Sequence, residues 1–309
     1  MSSANWINGN YFVRIDTDGT KSRRALRVGE KLIPNFPESL DIKLTNKCSI
    51  GCPFCHENSN PQGKVCDPDK LIKVLDQLPR VPIEFAFGGG DVFESQDELK
   101  KILEWSENNG YLNRVTINYR DLEIRQKEEL EKLFIETQAH RLTIGLSLSN
   151  WNKEIEEKIK EFEFFFDRVV FHIITGVFPI EKLESLLDND IAPVLVLGYK
   201  NFGRGKFYTP KQMDIWKDTI KQRIFKYRLG VKTGVLAFDN LAIEQLGIKE
   251  SLFQEEWDRT YQGNEFSCSM YVDAVEEMFA PTSRSTERVS WNSIGIVEYF
   301  QKGKQDYEN

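Results

Sequence analysis

The sequence is sparing with cysteine, excess positive charge and long apolar runs, and each shortage excludes something. Five cysteines in 309 residues are too few for a disulfide scaffold. Forty-one basic against 48 acidic residues leave a net charge of −7, which argues against broad nucleic-acid or anionic-membrane binding. The longest apolar runs, such as Val194 to Gly198, fall far short of the roughly 20 residues a membrane-spanning helix needs. Met1 to Tyr11 is polar and has no apolar core of a signal peptide, so the expected location is the cytoplasm, where thiols stay reduced. No internal repeat and no low-complexity segment interrupts the chain. What is present is ample core material: 40% of the residues are hydrophobic and 29% charged, a globular balance.

Hydrophobic patterning divides the chain into three expected parts: 1–38, 39–238 and 239–309. Tyr11 to Ile15 alternates, Asp18-Gly19 is a turn signal and Arg24 to Val28 returns, which predicts an N-terminal β-hairpin followed by a connector marked by Pro34 and Pro37. From residue 39 onward, strand-length apolar runs alternate with longer charged stretches. The runs are Leu40–Leu44, Ile83–Phe87, Val115–Tyr119, Leu142–Leu148, Val169–Ile174, Val194–Leu197 and Val231–Ala237. Helices are expected between them, with Asp67-Pro68, Ser95 and Thr209-Pro210 as helix starts. Near-continuous apolar strands imply a parallel sheet buried on both faces. With no nucleotide-binding glycine fingerprint after the first strand, a partial (β/α)6 TIM-like barrel fits better than a dinucleotide-binding sheet. Chemistry then belongs at the C-terminal ends of the strands. Beyond residue 240 a helix over Leu241 to Tyr261, a hairpin over Met270–Ala274 and Met278–Ala280, and a short final helix form a small extension.

The informative feature is Cys48-Ser-Ile-Gly-Cys52-Pro-Phe-Cys55, directly after the first barrel strand. Simple packing of buried thiols does not suit three cysteines in eight residues broken by Gly51 and Pro53. Zinc would require His56 or Cys66 as a fourth ligand and lacks a second cysteine knuckle. Cys52-Pro-Phe-Cys55-His56 matches a haem-attachment pattern, but it leaves Cys48 unused. An iron–sulfur cluster uses all three thiolates and leaves a fourth iron open to a small molecule.

This C-x-x-x-C-x-x-C arrangement, with aromatic Phe54 before the third cysteine, resembles the radical S-adenosylmethionine superfamily. Gly88-Gly89-Gly90-Asp91 ends the second barrel strand and is similar to that family's Gly-Gly-Glu-Pro element, with Asp91 for Glu and Val92 for Pro. The resemblance spans about residues 40 to 238. It implies one 4Fe–4S cluster held by Cys48, Cys52 and Cys55, with S-adenosylmethionine chelating the open iron. It also implies one-electron cleavage to methionine and a 5′-deoxyadenosyl radical, and hydrogen abstraction from a substrate. Phe54, Gly89, Gly90, Asp91, Asn118, Ser147 and Thr175 match cofactor-contacting positions; Ser149 and Gly176 neighbour two of them, and His172, a lone histidine in an apolar strand, reads more readily as a core residue than as a ligand. The loop carrying Lys200, Gly203, Arg204 and Lys206 is a candidate dock for an anionic group. Cys268 opens a hairpin similar to that of auxiliary-cluster domains, but Thr282 and Ser283 stand where a second cysteine would close it. Cys66 and Cys268 therefore read as inert thiols, and Asp273, Arg284 and Arg288 as candidates for the substrate mouth. The implied substrate is a peptide or protein, or else a small molecule or nucleotide. Glycyl-radical activation of a partner is a further member chemistry, and a non-enzymatic zinc or iron–sulfur module is the alternative of another class. The implied partner is a one-electron donor such as flavodoxin or ferredoxin.

Overall fold

Burial on both faces decides the central sheet. Strands β4 (Ser39–Thr45), β5 (Glu84–Gly89), β6 (Leu112–Asn118), β7 (Leu142–Leu148), β8 (Val169–Ile174) and β9 (Val194–Leu197) pair in that order, all parallel. The computed structural model describes residues 3–16, 20–136, 142–162, 168–189, 191–231, 234–261, 263–264 and 266–307. Leu40, Ile42, Phe85, Phe87, Val115 and Ile117 enter one core, whereas Asp41 and Arg114 line a cavity on the sheet's concave side. Register aligns Asp41 with Ala86 and Ala86 with Arg114, so one row of the lumen is fixed by pairing alone.

Helices cover the other face. In α1 (Pro68–Leu75), Asp67 accepts from the N–H groups of Asp69 and Lys70 at 3.0 and 3.3 Å, and proline takes the first turn. In α2 (Gln96–Asn108), Leu99, Ile102, Leu103 and Ser106 form the buried stripe. Then follow α3 (Tyr119–Ile124), α4 (Lys127–Glu136), α5 (Lys153–Lys160), α6 (Leu183–Leu187) and α7 (Met213–Arg228). This is the expected partial barrel. A short seventh parallel strand, β10 (Leu236–Phe238), pairs with β9. It begins later than the predicted Val231–Ala237 run, because Val231 and Val235 are exposed and pairing starts where Leu236 meets Val194.

The termini extend both ends of this scaffold. At the N-terminus β2 (Tyr11–Ile15) and β3 (Lys21–Ala25) form the expected antiparallel hairpin, and β1 (Ala4–Asn8) pairs with β2 to extend it to three strands. The overlooked signal is Asn8-Gly9: Gly9 turns at φ +61° and packs so tightly that an added Cβ would lie 1.7 Å from the Ile33 carbonyl oxygen. The predicted Asp18-Gly19 turn lies outside the described residues. At the C-terminus α8 (Asn240–Leu246) and α9 (Gln254–Thr260) replace one predicted helix, because Gly247 at φ +62° terminates the first. Strand β11 (Ser269–Asp273) then pairs parallel with β4, and β12 (Met278–Ala280), β13 (Val289–Ser290) and α10 (Ile296–Tyr307) complete the chain. The extension thus adds strands to the barrel's own sheet.

Two predicted helix starts differ. Helix α7 begins at Met213, not at Pro210, because Pro210 packs against Gly176 and the Lys211 N–H donates to the Gly176 carbonyl at 2.8 Å. Ser95 makes no side-chain cap; its hydroxyl donates to the Val92 carbonyl at 3.2 Å. Among the described residues no helix is long and apolar enough to cross a membrane.

Phe85 is fully buried among Phe87, Trp105 and Tyr111, its ring centre 4.6 Å from that of Tyr111. Phe85→Ala is expected to lower unfolding free energy by about 3–5 kcal/mol, measured by urea denaturation. A loss within experimental error would show that this aromatic cluster does not support the sheet.

Candidate active site

The cysteine loop is held by its backbone. The Cys48 N–H donates to Asn60 at 3.0 Å, Asn60 to Asn46 at 3.0 Å and Asn46 to Lys64 at 2.8 Å, so the loop folds back on its own base. A second clamp comes from the loop after β9. Arg204 donates through Nε to the Cys52 carbonyl at 2.9 Å, through Nη1 to Ser59 at 2.6 Å and through its backbone N–H to Cys55 at 2.9 Å. Gly203, at φ +51°, lets the two loops meet: an added Cβ would lie 2.6 Å from the His56 carbonyl oxygen. The sequence marks Arg204 as a candidate for an anion; its Nε and Nη1 are instead committed to carbonyls of the cysteine loop, and its Nη2 is buried without a partner.

Cys48, Cys52 and Cys55 all line one cavity of about 450 Å³, together with Phe54, Gly88, Gly89, Gly90, Asn118 and Ser147. Burial pushes the Cys48 thiol up. Burial also raises Cys52, with further repulsion from Cys55 and Cys48. Among the described residues no three Cys, His, Asp or Glu side chains converge on a single-ion site. Cys66 lies elsewhere, buried, its thiol pushed up to about 12 by burial. Cys268 sits against the N-terminal sheet and accepts from Arg23 Nη2 at 3.4 Å.

The three glycines divide their work. Gly88 has open space where a side chain would be, on the cavity side. Gly89, at φ +121°, and Gly90 are needed for contact between chain segments: added Cβ atoms would lie 2.5 Å from the Thr45 carbonyl oxygen and 2.1 Å from that of Lys47. The Gly90 and Asp91 N–H groups donate to the same two carbonyls at 2.7 and 2.8 Å, tying the end of β5 to the root of the cysteine loop.

Asp91 departs from the expected cofactor contact. Its carboxylate is buried outside the cavity lining, accepts from the Phe93 N–H at 2.9 Å and pairs with Arg125 at 2.7 Å. Arg125 also pairs with Asp121 at 3.3 Å and Glu129 at 3.0 Å. Asp121 accepts from the Asn118 N–H at 3.1 Å, and Asn118 Nδ2 donates to Cys52 Sγ at 3.6 Å. A continuous polar chain therefore connects the glycine turn, α3 and the second cysteine. No sequence motif marks Asp121 or Arg125; their spacing of four on a helical turn is the only local signal.

Deeper in the lumen, Ser147 and His172 are register partners on β7 and β8 and both line the cavity; Ser149 is exposed outside it. Gly145 makes room for the His172 ring, since an added Cβ would lie 2.3 Å from Cε1. Burial, then Arg114, pushes His172 down to about 3, so the imidazole is neutral, and its buried Nε2 has no partner. Thr175 departs from expectation. It is fully buried outside the cavity lining, donates to Gln245 at 3.0 Å and accepts from the Tyr199 N–H at 3.0 Å. Lys43 pairs with Glu57 at 2.9 Å and Asp273 at 3.2 Å, and Arg288 with Asp273 at 2.5 Å. Burial raises the Glu57 carboxyl, but the hydrogen bond from His56 and the Lys43 charge outweigh it and hold it low. Asp273 and Arg288 thus brace Lys43 rather than line the large cavity, while Arg284 lines a smaller adjoining one.

A family model described as the radical SAM superfamily matches residues 42–173, the stretch that carries both the cysteine loop and the glycine turn. The matched stretch, under half of the chain, is similar to the domain of that superfamily, a family of enzymes. Over 130 residues it is 25% identical to 7,8-dihydro-6-hydroxymethylpterin dimethyltransferase of Methanocaldococcus jannaschii, covering 39% of this chain and 25% of that one. The chain thus matches only a quarter of this curated relative's length. Among solved structures, Streptococcus suis SuiB bound to S-adenosylmethionine superposes with a TM-score of 0.63 at 15% identity, over 89% of this chain and 69% of SuiB. Native anSMEcpe with bound AdoMet superposes with a TM-score of 0.59 at 12% identity, over 87% and 82% of the two chains. These structural likenesses show the fold, a partial TIM-like α/β barrel.

Asp121 gives a pH test of the polar chain. Burial and the neighbouring Asp91 raise its carboxyl to about 7, against 3.8 in the unfolded chain. The folded protein then binds more protons than the unfolded one between these values, so this group's contribution to stability falls as pH rises through that window. Asp121→Asn is expected to flatten the decline, read as the urea midpoint from pH 4.5 to 7.5. An unchanged slope would place the titration elsewhere.

Proposed function

We propose that Cys48, Cys52 and Cys55 hold a single 4Fe–4S cluster, that S-adenosylmethionine binds beside it, and that the chain catalyses radical chemistry on a peptide. One observation carries the reading: three cysteines from the loop after β4 and three glycines from the end of β5 line the same cavity. The donor set fits the cluster. A 4Fe–4S cube takes each thiolate on a different iron, so the three sulfurs need not converge on one point, as a zinc ion would require. Gly88 offers an open backbone edge to a ligand beside them. With both groups bound, the cluster supplies one electron and S-adenosylmethionine supplies a 5′-deoxyadenosyl radical.

The protein's part is orientation, hydrogen bonding and exclusion of water. Asn118 would cap the Cys52 sulfur, and Asp121 and Arg125 hold Asn118 and the glycine turn in one frame. Phe54, packed edge-on against Tyr208 with ring centres 5.8 Å apart, contributes an apolar wall to the cluster end. Ser147 and the backbone of Gly88, Gly89 and Gly90 are the remaining cofactor contacts in this reading; Asp91 and Thr175 support the walls from behind.

A peptide substrate is favoured by two of the superposed proteins, described as SuiB bound to precursor peptide SuiA and as anSMEcpe with AdoMet and Cp18Cys peptide. A small-molecule substrate is the second reading, favoured by the dimethyltransferase likeness over the motif-bearing segment. In either case a one-electron donor is required.

Anaerobic reconstitution with iron and sulfide, followed by dithionite and S-adenosylmethionine, tests the proposal. The wild type is expected to turn brown and release methionine and 5′-deoxyadenosine. Alanine at Cys48, Cys52 or Cys55 is expected to abolish release, while Cys66→Ala retains it. Loss in Cys66→Ala alone, or a colourless protein holding one zinc ion, would overturn the ligand set.

A further inference from the structure

Most charges around the lumen are matched. Arg114 pairs with Glu84 at 2.8 Å, Lys43 pairs with Glu57 and Asp273, and Arg204 grips backbone carbonyls. Asp239 accepts from the Gly198 N–H at 2.9 Å and the Ala242 N–H at 2.7 Å.

Two charges of opposite sign break the pattern. Among the described residues, the Asp41 carboxylate makes no hydrogen bond and no ion pair. Its side chain is solvent-exposed and lines both cavities. Lys200 donates to the Ser283 hydroxyl at 2.9 Å and meets no carboxylate within ion-pair distance. Both groups line the cavity of about 450 Å³ and the adjoining one of about 210 Å³, at the junction between them. Asp41 is exposed and Lys200 part-buried, so each offers an unmatched charge to a group that enters the cavities. The fold keeps them apart: Asp41 is fixed mid-strand in β4 by pairing on both sides, to Ala86 and to Tyr271, and Lys200 by the loop after β9. His172 lines the same cavity, its ring packed against Gly145 and its buried Nε2 without a partner.

We infer that this part of the lumen is a subsite for a zwitterionic group, an amine docking on Asp41 and a carboxylate on Lys200, with His172 hydrogen-bonding the segment between. This rests on the reading of the cavity as the reaction chamber and adds a substrate class to it. The group is an amino acid as a free molecule, or neighbouring basic and acidic side chains of a peptide. A ligand bearing both charges satisfies both residues at once; a ligand bearing one displaces water from the other and leaves it unmatched.

The test is calorimetric titration of the reconstituted protein, with and without S-adenosylmethionine. The probes are 6-aminohexanoate, acetyl-Lys-Glu-amide, hexylamine and hexanoate. At least one of the two doubly charged probes is expected to bind about tenfold or more tighter than both singly charged ones. The probe that does so identifies the source, free amino acid or peptide. Asp41→Asn is expected to remove the preference for an amine, and Lys200→Gln, separately, the preference for a carboxylate. Equal binding of all four probes, binding of neither doubly charged probe, or a preference that survives both substitutions overturns the inference. Cluster absorbance and uncoupled S-adenosylmethionine cleavage by the wild type are recorded in parallel. A protein that cleaves the cofactor but ignores the zwitterions refutes the subsite alone; one that binds no cluster refutes the proposed function instead.

Discussion

The candidate site depends on the pairing of the glycine turn with the root of the cysteine loop. Two backbone hydrogen bonds, from Gly90 to Thr45 and from Asp91 to Lys47, hold these segments so close that any side chain at Gly89 or Gly90 would overlap a carbonyl. Parallel pairing of β4 with β5 brings the two strand ends level, and the missing Cβ atoms let them touch. The remaining contacts secure this junction from either side. Arg204 reaches across from the loop after β9 to fix the far limb of the cysteine loop, and Arg125 fixes Asp91 to α3.

Charge is handled differently in the two halves of the cavity. Around the cysteines, cations are consumed by carbonyls and by carboxylates outside the lining, which leaves thiols, glycine backbone and apolar walls facing inward. Lower in the lumen the side chains are strongly polar, and the neutral His172 stands among charged neighbours. Burial alone explains that neutrality, with the nearby Arg114 guanidinium adding to it. The C-terminal strands take part as well. By pairing with β4, β11 brings Tyr271 into the cavity wall and Asp273 behind Lys43, so the extension completes the lumen.

The local pattern of the chain was legible where one face of an element decided it. Alternating apolar runs announced β4 to β9, and Asp67-Pro68 announced α1, because short-range sterics and capping act within a few residues. The errors follow from packing between distant segments. Gly176 against Pro210 delays the start of α7, and pairing to Val194 sets where β10 begins. The Asn8-Gly9 turn is a local signal, an Asn-Gly pair directly before the alternating Tyr11–Ile15 run. Within the site, the cysteines, Phe54, the glycines, Asn118 and Ser147 stood out by motif or by strand end. Arg204 stood out only as a cation for an anionic group and Arg125 not at all, since an arginine's partners are set by what folds against it. Asp91 and Thr175 matched by position, yet their side chains are taken up by Arg125 and by Gln245 and Tyr199.

Sequence by itself determined the class of chemistry. Three cysteines at that spacing, followed one helix later by a glycine run at a strand end, specify a donor set and a backbone surface whatever surrounds them. Only the tertiary structure decided which polar groups remain available to a ligand. Asp41 and Asp91 look equally free on paper. One stands solvent-exposed in a cavity among strands that offer it no partner, and the other meets Arg125, because hydrogen-bond partners across a barrel are chosen by strand register and helix packing rather than by neighbours in the chain.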